Sequence, residues 1–186
     1  MAERVRVPRL LSSSRSMWFS AIAAAVAIPA VVVWALLTQP VENQVAAVVV
    51  GALLLAFLGG LVFRTTSLDT ERGLVVRTVG GAWQRSVAWA DASVVRVRGN
   101  NAGQALLEVR GAGRRTSTYL PLVAADLGGD RSQSPEFLRV LADQVERWSP
   151  ERGAVVKLLR AQADHVAAGG EVRESPVARA HLARAR

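Results

Sequence analysis

Two long uncharged runs near the start of the chain limit most strongly what it can fold into. No side chain from Met17 to Leu37 is charged, and the same holds from Val45 to Phe63. At 1.5 Å rise per residue each run forms a helix of about 30 Å, the thickness of the hydrocarbon core of a bilayer. We expect two spanning helices, joined by the short segment 38–44.

Two other interpretations of these runs are a buried hairpin in a soluble domain and a cleaved signal peptide. A chain of 186 residues has too little protein to cover two such helices on every side. Arginines precede the first run, as in a signal peptide, but the run is longer than an ordinary apolar signal region and a second run follows closely. Spanning helices are therefore the preferred interpretation.

Basic residues lie outside the pair of runs rather than between them. The connecting segment carries only Glu42, whereas the outer flanks carry Arg4, Arg6, Arg9, Arg15, Arg64 and Arg72. Because basic flanks stay on the cytoplasmic side, both termini are expected in the cytoplasm and the protein in the cytoplasmic (inner) membrane. Trp18 and Trp34 lie near opposite ends of the first run, as interfacial anchors do.

Neither run contains an ionisable residue, which favours an anchor over a transporter or proton channel. Pro29 lies inside the first run and is expected to kink it. The second run carries small residues that allow close helix contact: Ala47, Gly51, Ala56 and Gly60. Such a face serves either the hairpin itself or a neighbouring subunit, and the sequence leaves both open.

Beyond Arg64 the pattern changes to short β-rich stretches separated by turn residues. Six strands are predicted, at Thr65–Leu68, Leu74–Val79, Trp83–Trp89, Ser93–Arg98, Ala105–Arg110 and Arg114–Leu120. The connections are hairpin-sized, so we expect an antiparallel meander. The strands are predicted to end near Leu122, before a polar stretch at 126–133.

Two helices are predicted after the strands. Ser134 is a candidate N-cap for a helix from Pro135 to Trp148, with an apolar face that closes one end of the sheet. A second cap at Ser149 would open an amphipathic helix at Glu151–Ala168. The basic residues beyond Gly170 indicate either a mobile tail or a short helix.

This order of elements resembles the membrane-anchored bacterial pleckstrin-homology (PH) domain proteins of the actinobacterial type. The segment from Leu68 to Arg77 is similar to the opening hairpin of those domains. The segment from Val87 to Val97, with Trp89 and Asp91, is similar to their strand ending in an aromatic motif. The resemblance implies an α+β PH-like domain, a split barrel of about six or seven strands capped by a helix, behind a two-helix transmembrane hairpin and before an additional C-terminal helix.

The residues themselves indicate structural roles for this motif. We expect Trp89 to bury its ring and Asp91 to cap the turn after it. The resemblance implies lipid binding, but the first turn carries Asp69 and Glu71 beside Arg72, which makes a poor phosphate cradle. The basic pair Arg114–Arg115 is a second candidate for contact with anionic headgroups.

No catalytic, cofactor-binding or metal-binding residue is predicted. The chain has no cysteine and two histidines, His165 and His181, and no nucleotide-binding loop or nucleophile motif occurs. Asp126 and Asp130 lie in a Gly-rich segment, where a solvated turn is favoured over a metal site. The net charge of +8 is distributed along the chain, so no face is strongly basic by count and no nucleic-acid partner is predicted. Attraction to the anionic inner leaflet explains the charge equally well.

The sequence thus predicts four parts: a basic N-terminus (1–16), two transmembrane helices (17–63), a cytoplasmic PH-like domain (64–149) and an amphipathic helix with a basic tail (150–186). The expected function is a non-catalytic interaction or assembly module, an accessory subunit of a membrane complex with a protein partner or a second copy of itself. The alternative is a lipid-sensing module whose helix 151–168 lies on anionic phospholipid.

Overall fold

The computed structural model describes residues 4–8, 10, 15–62, 64–79, 83–101, 103–113, 115, 117–126 and 129–181, with the side chains of 15–21, 60–62 and 126 outside the description. The chain divides into two compact units. One contains Ser13–Arg64 and Thr78–Gln84, and the other contains Met1–Ser12, Thr65–Arg77 and Arg85–Arg186.

The first unit is built on two helices, α1 (Arg15–Thr38) and α2 (Val41–Val62), which pack against each other. Helix α1 contains the whole first uncharged run, and α2 contains the second run through Val62 but begins earlier, at Val41, so that it includes Glu42. Helix α1 continues through Pro29, so the proline does not end it. The turn between the helices is closed by the Gln44 side chain, which donates to the carbonyl oxygen of Gln39 at 2.8 Å.

The strands form two four-stranded antiparallel sheets. Sheet A has the order β1-β2-β3-β4, with strands at Arg4–Arg6, Arg64–Asp69, Leu74–Val79 and Trp83–Ala88. Sheet B has the order β5-β6-β7-β8, with strands at Ala92–Gly99, Gln104–Gly111, Thr118–Asp126 and Gly129–Ser132. Within the described parts of the chain no pairing joins β4 to β5, so a closed barrel, as the PH resemblance implied, is not seen.

Three helices follow the strands. Helix α3 (Pro135–Trp148) begins as predicted, since the Ser134 hydroxyl oxygen accepts a hydrogen bond from the Phe137 N–H at 3.3 Å. A 3-10 turn at Pro150–Arg152 leads into α4 (Gly153–Ala167), and α5 covers Pro176–His181. Ser149 stands at the N-cap position of this 3-10 turn, as predicted, but its hydroxyl makes no capping hydrogen bond and donates instead to the Trp89 carbonyl oxygen at 2.9 Å.

The core of the second unit lies between the sheets and the helices. The inward residues of β5, β6 and β7 pack against α3, whose Leu138 and Leu141 are fully buried. Burying one such leucine contributes about 2 kcal/mol to the free energy of folding. The core extends to Val7 at the N-terminus and to Val177 in α5, which ties both ends of the chain into this unit.

Two strands depart from the sequence-based expectation. The prediction that the strands end near Leu122 is wrong: β7 runs to Asp126 and pairs with β8, which lies within the polar stretch 126–133. Strand β1, in the segment predicted only as a basic terminus, pairs with β2 through Val5 and Leu68. Both are short edge strands that exist because a longer strand offers its free hydrogen-bonding groups.

The segment after Gly170 is docked rather than mobile as far as it is described. Ser175 and Val177 are completely buried, and the Gln162 side chain accepts from the Val177 N–H at 3.1 Å. Arg173 also binds Asp130 of β8 at 2.8 Å. Of the two alternatives, a short helix is therefore confirmed through His181, and residues 182–186 lie outside the described part.

Candidate functional site

Helix α2 exposes an apolar surface on nearly every side. Its segment Val41–Gly59 has a mean hydropathy of 2.0 and is 6% buried. It is the one helix among the described residues that is long and apolar enough to cross a membrane, a property that core helices and signal sequences also have. The described apolar part of α1 is the shorter stretch Ile22–Thr38.

The small-residue face of α2 is used in part within the hairpin. A Cβ atom on Gly51 would lie 2.6 Å from the Cγ2 atom of Val32 on α1, so a larger residue at this position requires the Val32 side chain or the helix to shift. Ala47 and Gly51 also line an apolar crevice of about 280 Å³ between the helices. Ala56 is exposed, and the side-chain surroundings of Gly60 and Trp18 lie outside the description.

Trp89 is fully buried, as predicted, and is held at both of its main-chain polar groups. Its N–H donates to the Gly73 carbonyl oxygen at 2.9 Å, and its carbonyl oxygen accepts from Ser149. Gly73 in turn lies against the Trp148 ring: a Cβ atom on Gly73 would be 2.6 Å from the nearest ring atom. These contacts join the β2–β3 turn, the end of β4 and the end of α3.

Asp91 is exposed and accepts from the Ala112 N–H through its main-chain carbonyl, and its capping role stays a prediction.

The first turn is organised by Asp69 rather than by a phosphate-binding arginine. Asp69 is 1% exposed, and its Oδ1 accepts from the Arg72 N–H at 3.1 Å. Its Oδ2 lies 4.0 Å from the Arg4 Nε of β1. The carboxylate thus closes the turn and contacts Arg4 of β1. A buried carboxylate in this turn agrees with the expectation that the turn is a poor phosphate-binding site.

The other predicted candidates do not come together. Arg115 is exposed, and Arg114 lies outside the described residues. Asp130 pairs with Arg173 at 2.8 Å, while the side chain of Asp126 is outside the description. His165 Nε2 lies 2.9 Å from the Glu171 carbonyl oxygen. The described residues contain no group of three or more His, Asp or Glu side chains placed to hold a metal ion.

Helix α4 covers most of the segment 151–168 that the lipid-sensing alternative places on a membrane, and its apolar face is occupied by protein. Leu159 and Ala163 are fully buried and Val156 is 4% exposed, all within the core. On the outward face of α4, Arg160 forms ion pairs with Asp143 and Glu146 of α3 at 3.0 and 2.6 Å. These two carboxylates raise the pKa of Arg160.

A buried carboxylate on β6 is a feature that the sequence did not predict. Glu108 is 3% exposed although it belongs to the outward row of the sheet. It accepts from the Ser117 hydroxyl at 2.6 Å and from Arg96 Nε at 2.9 Å, and Arg98 Nη1 lies 3.9 Å away. The Ser117 hydroxyl, and then the two arginines, lower the pKa of Glu108. The alternation of Arg96 and Arg98 in the sequence is a signal for an acidic residue on the neighbouring strand. Which residue lies opposite them depends on the register of the strands, and the sequence does not give that register.

Strand β4 presents a different kind of surface. It lies at the edge of sheet A, and its first four residues, Trp83–Ser86, are all exposed. The Trp83 side chain is 64% exposed. An exposed aromatic side chain at the edge of a sheet is typical of surfaces that bind another chain.

No family model, curated protein or solved structure matches the chain.

Proposed function

We propose that the chain is a non-catalytic, membrane-anchored interaction module. In this proposal α1 and α2 both cross the cytoplasmic membrane, both termini lie in the cytoplasm, and residues 64–149 form a PH-like domain. The domain binds a protein partner and serves as an accessory subunit of a membrane complex. The observation that carries the proposal is the exposed apolar surface of α2, since a patch of that size needs a lipid or protein environment.

The pairing of β1 with β2 supports two crossings. Strand β1 precedes α1 and β2 follows α2, and the Val7 N–H donates to the Thr66 carbonyl oxygen at 2.9 Å. Two paired strands lie on the same side of a membrane. If α2 crosses, the chain between β1 and α2 must cross back, and α1 with its 24 residues is the element of that length.

The order of the elements supports the PH-like assignment. Two antiparallel four-stranded sheets are followed by an amphipathic helix that packs on their core. Trp89, which carries the resemblance, lies fully buried where β4 ends. In this proposal the sheets are those of an open PH-like domain, with β1 contributed by the segment before the first helix.

The partner is expected at the β4 edge. Trp83, 64% exposed, supplies an aromatic anchor for that partner. The face of α4 is already filled by the core, which favours this proposal over the lipid-sensing alternative.

The test is co-purification from native membranes. The full chain, tagged at its C-terminus and extracted in mild detergent, is expected to bring down a stoichiometric protein partner that mass spectrometry identifies. Trp83→Ala should lower the recovered partner about tenfold, since an aromatic anchor contributes about 1–2 kcal/mol. Tyr119→Ala removes another exposed aromatic, on β7, and should leave recovery unchanged.

A monomer or homodimer without any partner after crosslinking would contradict the assembly role. It would favour the alternative of a module on anionic lipid.

A further inference from the structure

A cavity of about 520 Å³ lies at the end of β5, beside the last turn of α5. Its lining residues include Arg96, Arg98, Asn100, Asn101 and His181. This volume falls within the range of small-molecule sites, roughly 300–1,000 Å³. None of the lining residues in the described chain is acidic.

The two arginines form a matched pair. They are separated by one residue on a strand, so both side chains leave the same face with Cα atoms about 6.6 Å apart. Val97 between them is 8% exposed and points to the core. Two guanidinium groups at this spacing fit an anion with several oxygens, since each group presents parallel N–H donors.

Glu108 holds this pair in place. Its carboxylate lies opposite Arg96 in the β5–β6 register and contacts both arginines, at 2.9 and 3.9 Å. The carboxylate itself is buried and is not among the residues that line the cavity. Arg96 and Arg98 are 60% and 50% exposed, so the guanidinium groups remain within reach of a ligand.

We propose that this cavity binds a small phosphorylated ligand, with Arg96 and Arg98 as the anion-binding residues and His181 of α5 also in its lining. Asn100 also lines the cavity and is held by Gln104: its Nδ2 donates to Gln104 Oε1 at 3.1 Å, and its Oδ1 accepts from the Gln104 N–H at 2.9 Å. The phosphoryl group belongs either to a soluble metabolite or to the headgroup of a phosphomonoester lipid. The site is independent of the partner surface on β4.

The test is calorimetric titration of the full-length protein in zwitterionic nanodiscs. Pyrophosphate is the soluble probe, and nanodiscs that contain phosphatidic acid form the lipid arm. Saturable binding in the first arm identifies a soluble ligand, and saturable binding in the lipid arm alone identifies a headgroup.

Arg98→Gln is the decisive variant, because it removes one guanidinium and leaves the Arg96–Glu108 pair intact. It should weaken binding about tenfold, the loss expected for one charge-assisted contact. Arg139→Gln is the matched control, since Arg139 has the same exposure, 49%, and an exposed partner, Asp164. Thermal unfolding of each variant checks that the fold is retained.

The proposal is overturned if wild-type protein shows no saturable binding in either arm. It is equally overturned if Arg98→Gln and Arg139→Gln change the affinity by the same factor.

Discussion

At the scale of single residues, two buried positions place a specific demand on the residue type: one on β6 holds a charged side chain, and one in the β2–β3 turn has a positive φ. Glu108 is an ionised group with 3% exposure, stabilised by one hydroxyl and two guanidinium groups. Gly73 has φ +62° and lies against the Trp148 ring. Substitution at either position is therefore expected to lower the stability of the fold.

Glu108 should make the stability of the protein depend on pH. Because its pKa is lower in the folded chain than in the unfolded chain, its contribution is complete above the ordinary value of about 4.5 and is lost as the pH falls through the folded pKa. Glu108→Gln should lower the free energy of unfolding by about 1–3 kcal/mol at pH 7. The difference from wild type should shrink below pH 4.5, measured by chemical denaturation. A difference that stays constant from pH 7 to pH 3 would contradict this role.

Gly73→Ala should destabilise the fold by about 2–5 kcal/mol, measured by thermal unfolding. The positive φ costs about 1–2 kcal/mol in any L-residue, and the new methyl group meets the Trp148 ring at 2.6 Å. Gly113→Ala is the control, since Gly113 has φ +68° but open space around it, and only the backbone cost should appear. Equal losses at the two sites would show that the ring contact is unimportant.

At the scale of elements, the sequence predicts those segments whose signals are local. Helix α3 follows from Ser134 and Pro135, and β3 has the predicted bounds Leu74–Val79. Strands β1 and β8 carry no alternation of their own, and they form because β2 and β7 offer pairing edges. Ser149 looks like a helix cap but binds Trp89, a contact 60 residues away. The cluster around Glu108 escaped prediction for the same reason, because register is a long-range property.

Packing between α1 and α2 depends on one glycine. Gly51→Ala should lower the unfolding temperature of the detergent-solubilised protein, because the added methyl group meets Val32 and displaces α1, at a cost of about 1–3 kcal/mol. Gly59→Ala is the matched control on the same helix, where nothing lies within 4 Å. That variant should be neutral or slightly stabilising. An unchanged unfolding temperature in Gly51→Ala would contradict the close contact.

At the scale of the whole molecule, strand pairing and helix order together suggest how the chain is placed in a membrane. Strand β1 and strand β2 enclose α1 and α2 in the sequence and pair directly. In the proposed topology the helices leave the cytoplasm and return, and the turn near Asn43 lies on the far side. Strand β1 and the turn between the helices both contain exposed residues that can carry a label without disturbing the core.

The most direct test of this account is cysteine accessibility, because the chain has no cysteine of its own. Single variants Arg6→Cys, Asn43→Cys and Glu174→Cys place a thiol at three exposed positions. On intact spheroplasts a membrane-impermeant maleimide should label Asn43→Cys alone, and the other two should react only after permeabilisation. Labelling of Arg6→Cys and Asn43→Cys from the same side would contradict the two crossings, and equal labelling of all three before permeabilisation would contradict the membrane anchor.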